Sequence, residues 1–183
     1  MPDTDPSEAL LRLLENDPET ARTLEIFADF DIARRDPIEN LAIPSGQPLV
    51  PIAGDGSGGT YFLVGDDPAT RRPVLYTDSE GSGSLIAEDL VEAVAIFIAL
   101  GFWRDADHGS DLEDIEAELR ENEPDADEIR AELLAATGVP ALTREQARDR
   151  LLAAAARTAP DHVALADFPD ARPYEPMFGP RGS

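Results

Sequence analysis

The chain lacks cysteine and lysine and has only two histidines among its 183 residues. Without cysteine there are no disulfides, thiolate nucleophiles, iron–sulfur clusters or thiolate zinc sites. Without lysine there is no phosphate-binding loop of the Walker type, which places a lysine on the phosphates. These absences exclude several classes of enzyme and metalloprotein before any motif is considered.

Positive charge is also scarce, since 15 basic residues, all arginine, stand against 38 acidic ones and the net charge is −23. Proteins that bind nucleic acid need a basic surface that displaces the counterions of the phosphate backbone. That backbone would repel this chain, so we expect no nucleic-acid partner. The acidity is typical of a solvated surface, and it also favours encounter with a basic protein such as a nuclease.

Long apolar runs are missing as well. The most apolar stretch, Val91 to Leu100, contains Glu92 and is far shorter than the roughly 18 residues of a membrane-spanning helix. No basic and apolar leader opens the chain, so we expect no secretory signal. We therefore expect a soluble cytoplasmic protein without a membrane partner. The hydrophobic share of 42% is sufficient for a globular fold.

Three regions differ in composition and predict an α+β fold. Residues 1–104 are expected to form the main domain, with N-terminal helices within 7–35 and a sheet with a buried helix within 47–103. Residues 105–159 are expected to form a helical extension that packs on this domain. Residues 160–183 are rich in proline, and we expect a largely extended, poorly ordered tail.

The central region has alternating glycine-rich turns and apolar segments that predict strands. The candidate strands are Leu49–Ala53, Thr60–Val64, Val74–Thr77 and Ser84–Ala87. The second and third of these are expected to pair as antiparallel neighbours. The segment Glu88–Leu100 is apolar on nearly every side and is predicted to be a buried helix.

Helix boundaries are indicated by capping residues. Asp17 followed by proline is a helix start, with aspartate at the N-cap and proline at the first helical position. The segments Ser110–Glu113 and Thr143–Gln146 have the spacing of a capping box. A further helix opens over Asp125–Glu128 and is expected to end at Gly138.

The glycine-rich loop between the first two strands could bind a phosphate or a metal, or form only a turn. Gly54, Gly56 and Gly59 match the spacing of a dinucleotide-binding fingerprint, but a strand follows them instead of the required helix. A calcium loop needs oxygen ligands at alternate positions, and only Asp55 and Ser57 supply them. We therefore interpret the loop as a structural turn whose positive φ angles favour glycine.

Nucleophiles and histidine ligands are not indicated by their surroundings. Ser57 and Ser82 lie outside a G-x-S-x-G motif, and no histidine is near them in the sequence. His108 and His162 lie in polar, loop-like segments and are expected to be solvated surface residues. A zinc site would have to rely on carboxylates, which nothing in the sequence supports.

Carboxylates gather at the two turns that flank the central hairpin and are expected to share one end of the sheet. They are Asp66, Asp67, Asp78 and Glu80. A glycosidase-like pair or a metal site is conceivable there, but a solvated turn also accounts for them. We predict no catalytic residue, no metal, no cofactor and no enzymatic activity.

One stretch, from Pro51 to about Ile98, resembles a known family. The segment PIAGDGSGGTYFLV gives a strand, a glycine turn and an aromatic strand; RRPVLYTDSEGS adds a strand with an acidic end; LIAEDLVEAVAIFI leads into the buried helix. This order resembles the SUKH superfamily, which includes bacterial immunity proteins and fungal cell-wall assembly regulators. Ser79 stands where many members have a histidine, and the helices after Asp105 have no counterpart in the pattern.

The resemblance implies a twisted antiparallel sheet with packed helices, and a role in binding proteins. Many members are encoded beside toxins and neutralise them by direct contact, and the acidity here suits a basic nuclease toxin. The contact rim would consist of acidic residues with two possible aromatic anchors: Asp55, Asp66, Asp67, Asp78, Glu80, Tyr61 and Tyr76. Packing within the sheet is the other interpretation of the tyrosines.

Two other functions remain open from the sequence. A regulatory or scaffold protein could have the same fold and bind a different partner. An acidic hydrolase could use the turn carboxylates.

Overall fold

The computed structural model describes residues 6–37, 40–67, 70–107 and 110–178 and confirms the α+β class. His108 lies outside the described residues. The helices are α1 (Pro6–Asn16), α2 (Pro18–Ala28), α3 (Leu90–Leu100), α4 (Leu112–Asn122), α5 (Ala126–Thr137) and α6 (Arg144–Ala156), with a short 3₁₀ turn at Trp103–Asp105. The strands are β1 (Leu41–Ala42), β2 (Leu49–Gly54), β3 (Thr60–Val64), β4 (Val74–Thr77), β5 (Gly83–Ala87) and β6 (Leu165–Ala166).

The main sheet is an antiparallel meander in the order β2-β3-β4-β5. In the β3–β4 pair, Thr60 lies opposite Thr77 and Leu63 lies opposite Val74. The β2–β3 loop and the β4–β5 turn therefore lie at one end of the sheet, here called the Thr60 end. The β3–β4 turn lies at the other end, here called the Val64 end.

Both faces of this sheet are covered, which explains why every residue of β3, β4 and β5 is buried rather than alternate ones. Tyr61 and Leu63 of β3 point into the main core, together with the buried residues of α1, α2 and α3. Phe62 and Val64 point the other way, into a smaller cluster that includes Ala154 of α6.

Helix α3 is the centre of the main core, as its apolar sequence predicts. It begins at Leu90, because the Asp89 side chain accepts a hydrogen bond from the backbone N–H of Glu92 (2.8 Å) and caps the helix. Every residue from Ala93 to Leu100 is buried. In the part of the chain that the structure describes, no helix combines the length and apolarity needed to cross a membrane.

The C-terminal helices join the same core as the sheet and α3. Leu119, Leu133 and Leu151 are each at most 1% exposed and belong to the main cluster. The predicted capping box of Thr143 and Gln146 is confirmed, with both reciprocal hydrogen bonds present. The box predicted to start at Ser110 is wrong.

The N-cap of α4 is Asp111, whose carboxylate accepts from the N–H of Glu113 (2.9 Å). A carboxylate at this position satisfies a free N–H of the first turn just as a serine would. The two candidate caps are adjacent in the sequence, and this placed the predicted start one residue too early.

The prediction of a poorly ordered tail needs one correction. Residues 160–178 are mostly irregular in structure, but they are attached to the domain. Strand β6 pairs with β1, and the N–H of Gly83 in β5 donates to the carbonyl of Glu175 (2.9 Å). Phe178 is only 6% exposed and lies 6.5 Å from the ring of Trp103. Backbone pairing and the buried Phe178 thus hold in place a proline-rich segment that composition alone predicts to be poorly ordered.

Two glycines with positive φ provide a test of how tightly α4 packs on the end of α3. Alanine at Gly138 (φ +71°) would meet no atom within 4 Å, whereas at Gly101 (φ +66°) its Cβ would lie 2.8 Å from Leu119 Cδ2. We expect Gly138→Ala to lower the free energy of unfolding by roughly 1 kcal/mol and Gly101→Ala by about 2–4 kcal/mol, because the second adds a steric clash to the backbone strain. Urea unfolding of both variants measures this; equal losses would contradict the packing.

Candidate functional site

The β2–β3 loop is organised by the carboxylate of Asp55, which is 1% exposed. Its Oδ1 accepts hydrogen bonds from the Ser57 N–H (2.9 Å), the Ser57 hydroxyl (2.8 Å) and the Gly59 N–H (2.8 Å). Its Oδ2 accepts from the Tyr76 hydroxyl and from Arg104 Nη1, the latter at 2.9 Å. Both oxygens are therefore engaged by the protein itself.

The glycines of this loop are required for two different reasons. Gly58 has φ +95°, as the prediction of a structural turn implies. Gly59 is needed for space, since a Cβ there would lie 2.6 Å from Asp55 Oδ2. The loop is therefore a turn closed around an internal carboxylate. The N–H groups of Ser57 and Gly59 donate to Asp55, and that of Gly56 donates to Asp29.

Arg104, on the 3₁₀ turn, connects this loop to the end of α2. Its Nη1 also donates to the Tyr76 oxygen (3.0 Å), and its Nη2 donates to Asp29 Oδ2 (3.1 Å). Asp29 is the C-cap of α2 with φ +57°, a conformation that aspartate tolerates better than most residues. Its carbonyl accepts from the Tyr61 hydroxyl (3.2 Å). One hydrogen-bonded unit of six residues results, here called the Asp55 network: Asp29, Asp55, Ser57, Tyr61, Tyr76 and Arg104.

The electrostatics of the network keep Asp55 ionised. Burial alone would raise the pKa of Asp55, but the hydrogen bonds from Tyr76, Gly59 and Ser57 outweigh it and hold that pKa below its usual value. Burial, together with the hydrogen bond to Asp55, raises the pKa of the Tyr76 hydroxyl, which keeps the hydroxyl neutral. A general acid or base works best with a pKa near the working pH, and both shifts move away from it.

The structure corrects the roles predicted for Asp55, Tyr61 and Tyr76. Both tyrosines are 0% exposed, and their rings lie 4.8 Å apart within an aromatic cluster that includes Trp103, 5.0 Å from Tyr76. None of the three can contact a partner in the folded protein. Packing within the sheet, the other interpretation of the tyrosines, is the correct one.

The four turn carboxylates do not share one end of the sheet, so that prediction is also wrong. Asp66 and Asp67 follow β3 at the Val64 end, whereas Asp78 and Glu80 follow β4 at the Thr60 end. Asp78 Oδ1 accepts from the N–H groups of Glu80 and Ser82, both at 2.9 Å, and so stabilises its own turn. The sequence could not show this, because the end at which a turn lies depends on strand pairing.

His162, expected to be a solvated surface residue, is half-buried. Its Nδ1 is buried and has no hydrogen-bond partner among the described residues. Ser57 donates its hydroxyl to Asp55, so it is a loop residue rather than a nucleophile. Within residues 6–37, 40–67, 70–107 and 110–178, no group of three or more histidine or acidic side chains could hold a metal ion.

A surface groove at the Thr60 end was missed by the sequence reasoning. It encloses about 390 Å³ and is lined in part by Glu80, Arg172, Tyr174 and Glu175. Phe168 also lines it and is 57% exposed, which is unusual for an aromatic side chain. The sequence does contain an indication of this groove, a single phenylalanine in an acidic segment. It was overlooked because that segment was predicted to be a poorly ordered tail.

Comparison of the chain with protein-family models, curated proteins and solved structures found no match. The function is therefore argued below from the geometry of the described residues and from the sequence resemblance.

The Asp55 network predicts a large difference between two aspartate substitutions. Asp55→Asn removes the buried member of an ion pair and leaves Arg104 with Asp29 as its acidic partner, so we expect a loss of about 3–5 kcal/mol in the free energy of unfolding. Asp66→Asn, on an exposed turn, is the matched control and should change stability little. Urea unfolding at pH 7 checks both; similar effects would mean that Asp55 is not part of the framework.

The lowered pKa of Asp55 predicts the direction of a pH effect on stability. Its folded-state pKa lies below the ordinary value of about 3.9, so its contribution is fully present above that value and is lost as the pH falls through the folded-state pKa. Tyr76→Phe removes one hydrogen bond that lowers this pKa, and the variant should lose less stability between about pH 5 and pH 2 than the wild type. Unfolding free energies across that range test this; a steeper acid loss in the variant would contradict it.

Proposed function

We propose that this chain is a protein-binding module of the SUKH type, an immunity protein that neutralises a basic toxin by direct contact in the cytoplasm. The observation that carries the proposal is Phe168, which is 57% exposed in an acidic groove at the Thr60 end of the sheet. The order of strands, glycine loop and buried helix over β2 to α3 is the one that the resemblance implies. The proposal includes no catalytic role.

The groove has the composition of a contact site for a basic protein. Aromatic side chains often supply the largest share of binding energy at interfaces. The neighbouring Asp167 and Asp170 are exposed, as are Glu80 and Glu175, and Arg172 is the one basic residue among those named here. Acidic groups around an aromatic anchor favour the approach of a basic partner and disfavour acidic competitors.

The carboxylates of the two turns are too far apart to act together as a glycosidase-like pair. The pair at the Val64 end and the pair at the Thr60 end are separated by the length of β3, roughly 13 Å for four residue steps. Glycosidases hold their two carboxyl groups about 5–9.5 Å apart. Asp55 is closer to the Thr60 end but is sequestered by its own hydrogen bonds.

A direct test is co-expression with the protein encoded by the neighbouring gene. Rescue of growth together with a complex on co-purification is the result expected of an immunity protein. A complex without any protective effect would favour a regulatory or scaffold protein instead. Absence of both rescue and complex would overturn the immunity role.

Two exposed carboxylates at opposite ends of the sheet locate the contact surface. We expect Phe168→Ala and Glu80→Lys each to weaken binding of that partner about 30-fold, which corresponds to about 2 kcal/mol. Asp66→Lys makes the same charge change at the Val64 end and should have little effect. Affinities measured by calorimetry test this prediction. A larger loss of affinity in Asp66→Lys than in Glu80→Lys would contradict it, because the contact would then lie at the Val64 end.

A further inference from the structure

A second pocket, of about 290 Å³, lies where α3 and α5 meet the first turn of α6. Its apolar wall includes Ile98 and Ala99 of α3 and Leu134 of α5. It shares no lining residue with the Phe168 groove. The inference drawn from it does not depend on the proposed function.

One side of this pocket is basic, although the chain carries a net charge of −23. Arg130 uses four of its five N–H donors on the protein: its Nε donates to the Ile98 carbonyl (2.8 Å), and its Nη2 donates to Glu116 Oε1 (2.6 Å) and the Ala99 carbonyl (3.0 Å). Arg130 Nη1 donates to Glu116 Oε2 (2.7 Å). Arg130 is therefore mainly part of the wall.

Arg144 is different, because its guanidinium is only partly used. Its Nη1 lies 3.6 Å from Glu116 Oε2, an ion pair that is long for a hydrogen bond. Its Nε is buried and has no hydrogen-bond partner among the described residues. A buried donor without an acceptor costs about 1–3 kcal/mol, so the site as it stands lacks an acceptor.

The start of α6 adds further donors on the same side. The capping box of Thr143 satisfies the N–H of Gln146, whereas the N–H groups of Arg144 and Glu145 precede the first intrahelical bond. The positive end of the helix dipole favours an anion here. Glu145 also lines the pocket, and its negative charge repels a dianion more strongly than a monoanion.

We propose that this pocket binds a small aliphatic monocarboxylate. The carboxylate pairs with the guanidinium of Arg144, whose planar fork matches two carboxylate oxygens, and the hydrocarbon chain packs on Ile98, Ala99 and Leu134. The volume of about 290 Å³ is near the lower limit of ligand pockets, which span about 300–1,000 Å³, so a short or medium chain fits and a long one does not.

The test uses octanoate as the probe and the full chain as the protein. Octanol carries the same hydrocarbon chain without the charge, and acetate carries the charge without the chain. We expect octanoate to bind at least tenfold more tightly than either, by calorimetry or NMR titration. If octanol or acetate bound as tightly as octanoate, the site would not recognise both the carboxylate and the hydrocarbon chain, and the proposal would be contradicted.

Variants then test which residues form the site. Arg144→Gln should weaken octanoate binding at least tenfold, whereas Arg157→Gln, which removes the same charge just after the other end of α6, should not. Ala99→Val fills the apolar wall without changing any charge and should also weaken binding. The proposal would be overturned if Arg144→Gln bound octanoate with unchanged affinity. It would also be overturned if the NMR chemical shifts that change on adding octanoate belonged only to residues of the Phe168 groove.

Discussion

The Thr60 end of the sheet depends on one interaction, the ion pair between the buried carboxylate of Asp55 and Arg104. The carboxylate closes the β2–β3 loop through its own backbone neighbours and connects that loop to Tyr76 of β4 and to Arg104 on the 3₁₀ turn. Arg104 extends the connection to Asp29 at the end of α2. Four separate parts of the chain are therefore held in register by one buried charge and its counter-ion.

A second buried carboxylate is neutralised near the C-terminal end of α3, where Arg130 also donates to the carbonyls of Ile98 and Ala99. Glu116, which is 5% exposed, is surrounded by three arginines and pairs most closely with Arg130. Arginine suits such positions because its planar fork can satisfy several acceptors at once. Because these cations neutralise buried carboxylates, they do not offset the acidity of the exposed surface, which would attract the basic partner that we propose.

Local signals in the sequence were sufficient for the helices and the four strands of the main sheet, but not for the short strands β1 and β6, which pair across the chain. Strands such as Thr60–Val64 and the capping box at Thr143 depend on residues that are neighbours in the chain, and both predictions are confirmed. The end of the sheet at which Asp66 and Glu80 lie depends instead on strand pairing, which no local pattern specifies. The burial of Tyr61 and Tyr76 depends on helices that cover the sheet, and the attachment of Phe178 depends on contacts far away in the sequence.

The Asp55 carboxylate acts as a structural anion in this fold, and the surface around Phe168 is where we propose that a partner binds. The most direct measurement is the titration of the Asp55 side-chain carboxyl carbon by NMR. A pKa below the ordinary aspartate value of about 3.9, with no sign of titration between pH 5 and 8, is the predicted result. A pKa raised above the ordinary value, toward neutrality, would contradict the account, because it would identify a carboxyl group poised for proton transfer.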